Sequence, residues 1–175
     1  WTSHSLTGEP VESSDGSLVC VEDALPDHHD VDMIILCGGY TPLDQTQSDL
    51  LSWLRKPQIR SKHIGAIESG TLVLMDAGLL NGYECSVHWR FLSRAKALFQ
   101  HLSIQTKPYL LDIDHSTVPG GVAVPDMVFE LIKKLWAEKI PQRIYAQFTR
   151  SQNLYMTKDH RTTQRAESGG GKERK

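Results

Sequence analysis

The residue in this sequence with the clearest capacity for chemistry is Glu68, a carboxylate that stands between two patterned stretches of chain. The apolar run His63–Ile67 predicts a buried parallel strand, and helical spacing of apolar residues begins at Leu72. The small residues Ser69 and Gly70 permit a sharp strand-to-helix turn between them. Such a turn projects one side chain above the carboxyl edge of an α/β sheet, at a helix N-terminus. We therefore expect Glu68 to be ionised there and to attract a cationic group.

Residues that follow other predicted strands join Glu68 in a candidate site. The candidate ligand-binding residues are Glu68, Gly38, Gly39, Tyr40, Ser69, His88 and Trp89. Because ligands of open α/β sheets bind outside the carboxyl ends of the strands, we expect them to line one cleft. The two glycines suit either backbone N–H donation to a ligand or a simple strand-to-helix turn. Tyr40 and Trp89 could add cation–π contacts. The sequence predicts no catalytic residue, no metal site and no cofactor.

Several of these side chains also have a purely structural interpretation, which the sequence leaves open. Glu68 could cap a helix or pair with Arg90, Trp89 could pack in the core, and His88 could bridge backbone groups. Asp126, near the start of a predicted helix, suits the helix dipole but could also face a partner subunit or His88.

Strands and helices alternate along most of the chain, which predicts a parallel sheet with helices on both faces. A hairpin is predicted around Asp15-Gly16, a turn over 118–121, a helix end at Pro57 and a helix C-cap at Gly78. The predicted strands are 1–8, 11–14, 18–21, 33–37, 63–67, 85–87, 103–106 and 109–113. The predicted helices are 43–54, 71–77, 89–99, 124–138 and 141–150.

Composition limits the classes of function. The 175 residues suffice for one domain, and a formal charge of −2 gives no general sign of nucleic-acid binding. Three cysteines without close or metal-like spacing suit buried thiols in a reducing compartment, so we expect a cytoplasmic protein. No apolar run approaches the length of a membrane span, and no secretory signal precedes the domain.

The sequence suggests one possible metal-binding site, formed by His28, His29 and Asp30. Adjacent side chains diverge, and no further ligand has suitable spacing. We therefore do not predict a metal there.

The stretch that begins at Glu68 also resembles a known family. The sequence AGLLNG at positions 77–82, followed by Val87, His88 and Trp89, is similar to the PfpI-like, class I glutamine amidotransferase-like superfamily. More narrowly, it resembles the sensor domain of GlxA-type AraC-family transcriptional regulators. The resemblance extends more weakly from Asp15 to about Gln152. The chain departs from the enzymes of this superfamily at one position, because they carry cysteine where Glu68 stands.

The resemblance implies a flavodoxin-like, three-layer α/β/α sandwich with a mostly parallel sheet. It places a sensor domain at 1–157, lacking its N-terminal strand and helix, and a basic linker at 158–175. DNA would be bound only through a helix-turn-helix domain absent from this chain. It also implies a homodimer, which a sheet short of a strand gives further reason to expect.

The function expected from these observations is ligand sensing and dimerisation in such a regulator, without catalysis. The small-molecule effector would be a cationic amine or an amino acid. The alternative is a PfpI-like hydrolase or amidotransferase-type enzyme, which Glu68 disfavours because it fills the space meant for the reacting carbon of a substrate. A module that only dimerises is a third possibility, which the sequence does not separate from a sensor.

Overall fold

The computed structural model describes residues 1–26, 31–39, 48–60 and 62–136. Residues Trp1–Val128 form one compact unit, and a second unit begins at Phe129. The strands are β1 His4–Ser5, β2 Val11–Glu12, β3 Leu18–Val19, β4 Asp23–Ala24, β5 Met33–Cys37, β6 His63–Ile67, β7 Glu84–Ser86, β8 Ser103–Gln105, β9 Leu110–Leu111 and β10 His115–Val118. The helices are α1 Ser48–Leu54, α2 Pro57–Arg60, α3 Gly70–Asp76, α4 Trp89–Leu98 and α5 Ala123–Trp136.

A four-stranded sheet in the order β5-β6-β10-β9 positions the candidate site. Strands β5, β6 and β10 are parallel, and β9 runs antiparallel to β10. The register sets Cys37 beside Ile67 and Ile67 beside Val118, so the three parallel strands end level with one another. The turns that follow these strands therefore leave the sheet at one carboxyl edge.

Three further pairs of strands are separate from this sheet among the described residues. Strands β1 and β4 pair in parallel, as do β7 and β8. Strands β2 and β3 form a hairpin whose turn includes Gly16 at a φ of 83°. The left-handed backbone at this glycine is what the predicted Asp15-Gly16 turn requires.

The core of the first unit is built around β6 and α3. Every residue from Gly70 to Met75 is buried, so α3 has no solvent-facing side until Asp76. The helix ends as predicted, with Gly78 at a φ of 75° just beyond its last turn. The largest fully buried apolar side chains of this cluster are Leu54, Ile59, Ile64, Leu72, Leu74 and Leu80.

The central strand β10 was missed by the sequence analysis, which placed only a turn over 118–121 in this region. Its residues His-Ser-Thr-Val hold a single aliphatic side chain, so they lack the apolar run of a buried strand. All four residues are nevertheless buried. Distant groups satisfy their polar atoms, since Thr117 Oγ1 accepts from Ser86 N at 2.9 Å and Ser116 Oγ lies 3.2 Å from His63 Nε2.

Other boundaries differ by smaller amounts. Pro57 does not merely follow a helix end, because it is the first residue of α2, where its missing N–H costs nothing. The strand predicted at 109–113 shortens to two residues, and the one predicted at 1–8 shortens to His4–Ser5. The expectation of buried thiols was wrong for Cys20 and Cys37, which are exposed, and correct for Cys85.

Several sequence predictions fall on residues outside the described ranges. These are Tyr40, the possible metal ligands His28, His29 and Asp30, the first residues of the helix predicted at 43–54, the helix predicted at 141–150 and the linker at 158–175. Within the described residues, no helix is long and apolar enough to cross a membrane.

Candidate functional site

Glu68 occupies the sharp turn that the sequence predicts, between the end of β6 and the start of α3. Its φ is 56°, and it is the one non-glycine residue with positive φ in the described part of the chain. Its backbone N–H donates to Val118 O at 2.9 Å, which ties the turn to the neighbouring strand β10. The left-handed conformation costs a residue with a β-carbon about 1–2 kcal/mol. Strain of this kind concentrates at sites where a side chain must be held in a set position.

The Glu68 carboxylate is half-buried and has no hydrogen-bond or ion-pair partner among the described residues. The two structural interpretations of this side chain are therefore wrong within those residues. Glu68 does not form an ion pair with Arg90. It does not cap α3 either, because Ser69 is the N-cap residue and no side-chain capping hydrogen bond is made there.

Gly38 and Gly39 pack directly against the turn. Gly38 N donates to Ile67 O at 3.1 Å, and Ser69 Oγ donates to Gly39 O. A β-carbon added at Gly38 would stand 2.1 Å from the backbone nitrogen of Gly70. The backbone of Gly38 thus contacts the backbone of the turn. Gly38, Gly39 and Ser69 therefore lie together next to Glu68.

Gly120, which follows the missed strand β10, lies on another side of Glu68. A β-carbon added at Gly120 would meet the Glu68 side chain at 3.5–3.8 Å. Gly120 itself has a φ of 116°, a conformation that strongly favours glycine. The PGG sequence at positions 119–121 was the signal for this neighbour, but only the position of β10 shows that it faces Glu68. Asp126 stands exposed in the first turn of α5, which suits the helix dipole.

His88 and Trp89 lie at the start of α4. His88 is the N-cap residue, and its Nδ1 accepts from Arg90 N at 3.2 Å. Its ring centroid is 5.3 Å from that of Trp89, which is 78% exposed, so Trp89 is not a core residue. Among the described residues, neither side chain makes a hydrogen bond, ion pair or ring contact with Glu68. Within the described residues the His88 side chain therefore bonds one backbone N–H, at the N-cap of α4, and does not bridge two backbone groups.

The cysteine thiols near the sheet are poorly suited to nucleophilic chemistry. Although Cys37 is exposed as a whole residue, partial desolvation of its sulfur raises the pKa of the thiol. Burial, with a smaller contribution from Glu84, raises the pKa of Cys85 to about 11. A thiolate nucleophile requires the opposite shift. No cluster of three or more His, Cys, Asp or Glu side chains in the described residues could hold a metal ion.

Two cavities lie elsewhere in the first unit. One of about 230 Å³ lies beside β9 and β10, and one of about 350 Å³ lies beside the end of α4. Neither is lined by Glu68. The first is lined by Glu84, Leu110, Leu111, Asp112, His115, Ser116 and Thr117. The second is lined by Lys96, Phe99, Gln100, Leu102 and Ile104.

A group of polar side chains next to the first cavity was also missed by the sequence analysis. Asp114 Oδ1 lies 2.9 Å from His115 Nδ1, and Tyr83 donates its hydroxyl to Asp114 Oδ2 at 2.9 Å. The Tyr83 and His115 rings are 4.0 Å apart. Burial acts to raise the pKa of Asp114, but the hydrogen bonds from His115 and Tyr83 outweigh it and hold that pKa below its usual value.

We expect Asp114→Asn to destabilise the chain at neutral pH and much less in acid. Because the folded-state pKa of Asp114 is lowered from 3.8, its ionised form contributes stability above that pH. This contribution is lost as the pH falls through the folded-state pKa. Urea unfolding of both proteins from pH 7 down to pH 3 would measure the difference at each pH. A difference that stays constant across this range would contradict the assignment.

Comparison with known proteins identifies a family model and several relatives that match this chain. The family model described as "DJ-1/PfpI family" matches residues 2–134. The HTH-type transcriptional regulator GbdR of Pseudomonas aeruginosa is 30% identical over 148 residues, which make up 85% of this chain and 40% of GbdR. The HTH-type transcriptional regulator CdhR of the same species is 29% identical over 175 residues, the whole of this chain and 52% of CdhR. The chain thus spans about half the length of these relatives, or less.

Among solved structures, an AraC family transcriptional regulator from Pseudomonas putida superposes with a TM-score of 0.76. It is 22% identical, and the match covers 85% of this chain and 80% of that one. The predicted flavodoxin-like α/β fold with a mostly parallel sheet is confirmed by this likeness.

Proposed function

This chain belongs to the DJ-1/PfpI family, and we propose that it is the ligand-sensing domain of an AraC-family transcriptional regulator, without catalytic activity of its own. Its relatives GbdR and CdhR are named as HTH-type transcriptional regulators, and the matched structure from Pseudomonas putida is an AraC family regulator. Since the chain spans half of these relatives or less, operator binding is assigned to a helix-turn-helix domain outside it.

The observation that carries this proposal is the carboxylate at the turn. Enzymes of the resembling superfamily place a cysteine there, whereas this chain holds Glu68 on the same kind of sharp turn. The raised pKa values of Cys37 and Cys85 argue against a replacement thiol. His88, the other group that such an enzyme would use, is engaged in capping α4. These features favour binding over turnover.

We propose that the ligand bound at this turn is a small cation, an amine or an amino acid presenting its ammonium group. The Glu68 carboxylate is half-buried and has no partner among the described residues, so a cation that replaces its lost hydration would stabilise it. Gly120 lies beside the Glu68 side chain, and Gly38, Gly39 and Ser69 contact one another next to the backbone of the same turn. Tyr40, His88 and Trp89 remain proposed members of the same site.

The Glu68→Gln variant tests the ligand class, because it keeps the shape of the side chain and removes its charge. We expect the affinity for a cationic ligand to fall by about 1–3 kcal/mol, the cost of losing a charged hydrogen-bond partner. Thermal-shift titration with tetramethylammonium, ethylammonium, a set of amino acids and propionate would find the ligand, and calorimetry would compare the two proteins. Asp126→Asn, which removes an exposed carboxylate in the first turn of α5, serves as the matched control.

Two outcomes would reject this assignment. One is preferential binding of propionate, and the other is an equal affinity for the cation in Glu68→Gln and the parent chain. Hydrolase turnover that disappears in Glu68→Ala would instead favour an enzyme. We further propose that the domain acts as a homodimer, and light scattering that shows a monomer at high concentration would contradict that part.

A further inference from the structure

A second binding position lies in the cavity beside β9 and β10, away from Glu68. The antiparallel register sets Thr117 opposite Leu110, so these two side chains share a face with His115 and Asp112. The backbone also joins Asp112 to His115, since Asp112 N donates to His115 O at 2.7 Å. The cavity of about 230 Å³ is lined by these four residues, by Leu111 and Ser116 of the same two strands, and by Glu84 of β7. Its volume suits a small metabolite rather than a drug-sized ligand.

His115 gives this cavity a polar atom that the fold does not use. The residue is only 9% exposed, and its Nδ1 is engaged by Asp114. Because an ionised carboxylate can only accept, Nδ1 must carry the proton and donate it to Asp114. In the neutral imidazole, Nε2 is then an acceptor. Across the described ranges, no group makes a hydrogen bond with Nε2, although His115 lines the cavity.

The orientation of the ring is set from two sides. Tyr83 packs its ring against the imidazole at a centroid distance of 4.0 Å, and its hydroxyl donates to the second oxygen of Asp114. With one edge held by Asp114 and one face held by Tyr83, Nε2 is the polar atom of the ring left for the cavity. Such an orienting carboxylate is the usual means of presenting a chosen imidazole nitrogen to a ligand.

The two cavity-lining residues with a formal charge, Glu84 and Asp112, are both acidic. Asp114 stands behind His115. Lys107 offsets Glu84 with an ion pair at 3.2 Å on the exposed rim. The side chains of Leu110 and Leu111 supply apolar lining. A ligand suited to this lining has a small apolar body, a positive charge and an N–H that it can donate.

We propose that this cavity is a second ligand site, in which Nε2 of His115 accepts a hydrogen bond from a small primary ammonium compound. Asp114 and Tyr83 are positioning residues, because they act on the ligand through the imidazole. The site is independent of the one proposed at Glu68 and stands even if that one fails.

The test follows Nε2 itself, in chain labelled with ¹⁵N-histidine. The His115 signals are assigned through their proximity to the Tyr83 ring, which is close enough for proton–proton contacts. Ethylammonium at millimolar concentration is expected to shift the Nε2 resonance of His115 saturably. Propionate, which is an anion, and tetramethylammonium, which has no N–H to donate, are expected to leave it unchanged.

Variants then separate the two sites. We expect His115→Gln to weaken ethylammonium binding at this cavity by about tenfold or more, the usual effect of losing a charged hydrogen bond. Glu68→Gln is expected to leave the shift of His115 Nε2 unchanged. Circular dichroism checks that each variant is folded, and the titration of the parent chain decides the question if His115→Gln is not.

Each contrary result overturns the proposal. If ethylammonium causes no saturable shift of the Nε2 resonance, the proposed site is rejected. An equal response to tetramethylammonium removes the hydrogen bond to Nε2. If the Nε2 shift of His115 is lost in Glu68→Gln, and calorimetry shows that His115→Gln still binds ethylammonium as the parent chain does, the binding belongs to the turn, which supports the proposed function and rejects this one.

Discussion

The Gly38→Ala variant is expected to lose at least about 2 kcal/mol of folding stability, because overpacking at a rigid backbone contact is among the costlier single changes. The added β-carbon would lie 2.1 Å from Gly70 N and 2.3 Å from Ser69 Oγ. The nearest obstacle is the backbone of α3, which cannot rotate away as a side chain could. Either β5 or the turn that holds Glu68 must move. Urea unfolding followed by circular dichroism would measure the loss.

Gly39→Ala supplies a matched control one residue along the chain. A β-carbon at Gly39 meets nothing described within 4 Å, and this glycine does not have positive φ. We expect its stability to change by less than about 1 kcal/mol, in either direction. If both variants unfold at the same urea concentration as the parent chain, the close packing of Gly38 on the turn is refuted.

The second large effect on stability is expected at two buried threonines, Thr117 and Thr71. The hydroxyl of Thr117 has a hydrogen-bond partner, and that of Thr71 has none among the described residues. Thr117 Oγ1 accepts the backbone N–H of Ser86 at 2.9 Å, and both residues are buried. Thr117→Val keeps the volume and leaves that N–H unpaired in the interior. We expect a loss of about 1–3 kcal/mol in the free energy of unfolding. The loss should appear as a lower urea midpoint at unchanged slope.

Thr71→Val should behave in the opposite way. Thr71 is fully buried in α3, and its Oγ1 has no hydrogen-bond partner among the described residues. Replacing an unpaired buried hydroxyl by a methyl group removes a desolvation cost, so we expect stability to rise by about 1 kcal/mol. Equal losses in the two variants would show that packing around the methyl groups, rather than hydrogen bonding, decides the result.

The turn at Glu68 could be predicted from the sequence because its signals are local. An apolar run, two small residues and a helical pattern stand next to one another, and each specifies its own element. The same holds for Met33–Cys37 and for the hairpin around Gly16. The level ends of β5 and β6 then bring Gly38 to the turn, as expected.

Strand β10 could not be predicted in this way, because what stabilises it lies far along the chain. Ser86 and His63 satisfy the polar side chains of Thr117 and Ser116 across 31 and 53 residues. Because β10 was not predicted, the contact between Gly120 and Glu68 could not be predicted either. The cluster around His115 was hidden for the same reason, since Tyr83 reaches Asp114 across 31 residues.

The backbone of Glu68 has a consequence for how this family could change its chemistry. Apart from glycine, an unbranched residue at a φ of 56° meets much the same steric cost whatever its side chain carries. Val118 O and the packing of Gly38 hold the peptide, not the carboxylate. The backbone of the turn therefore fixes the direction of the side chain at position 68, whereas the functional group at the end of that side chain can be exchanged. Replacing this one residue would therefore exchange a carboxylate for a thiol at the same point of the fold while leaving the scaffold intact.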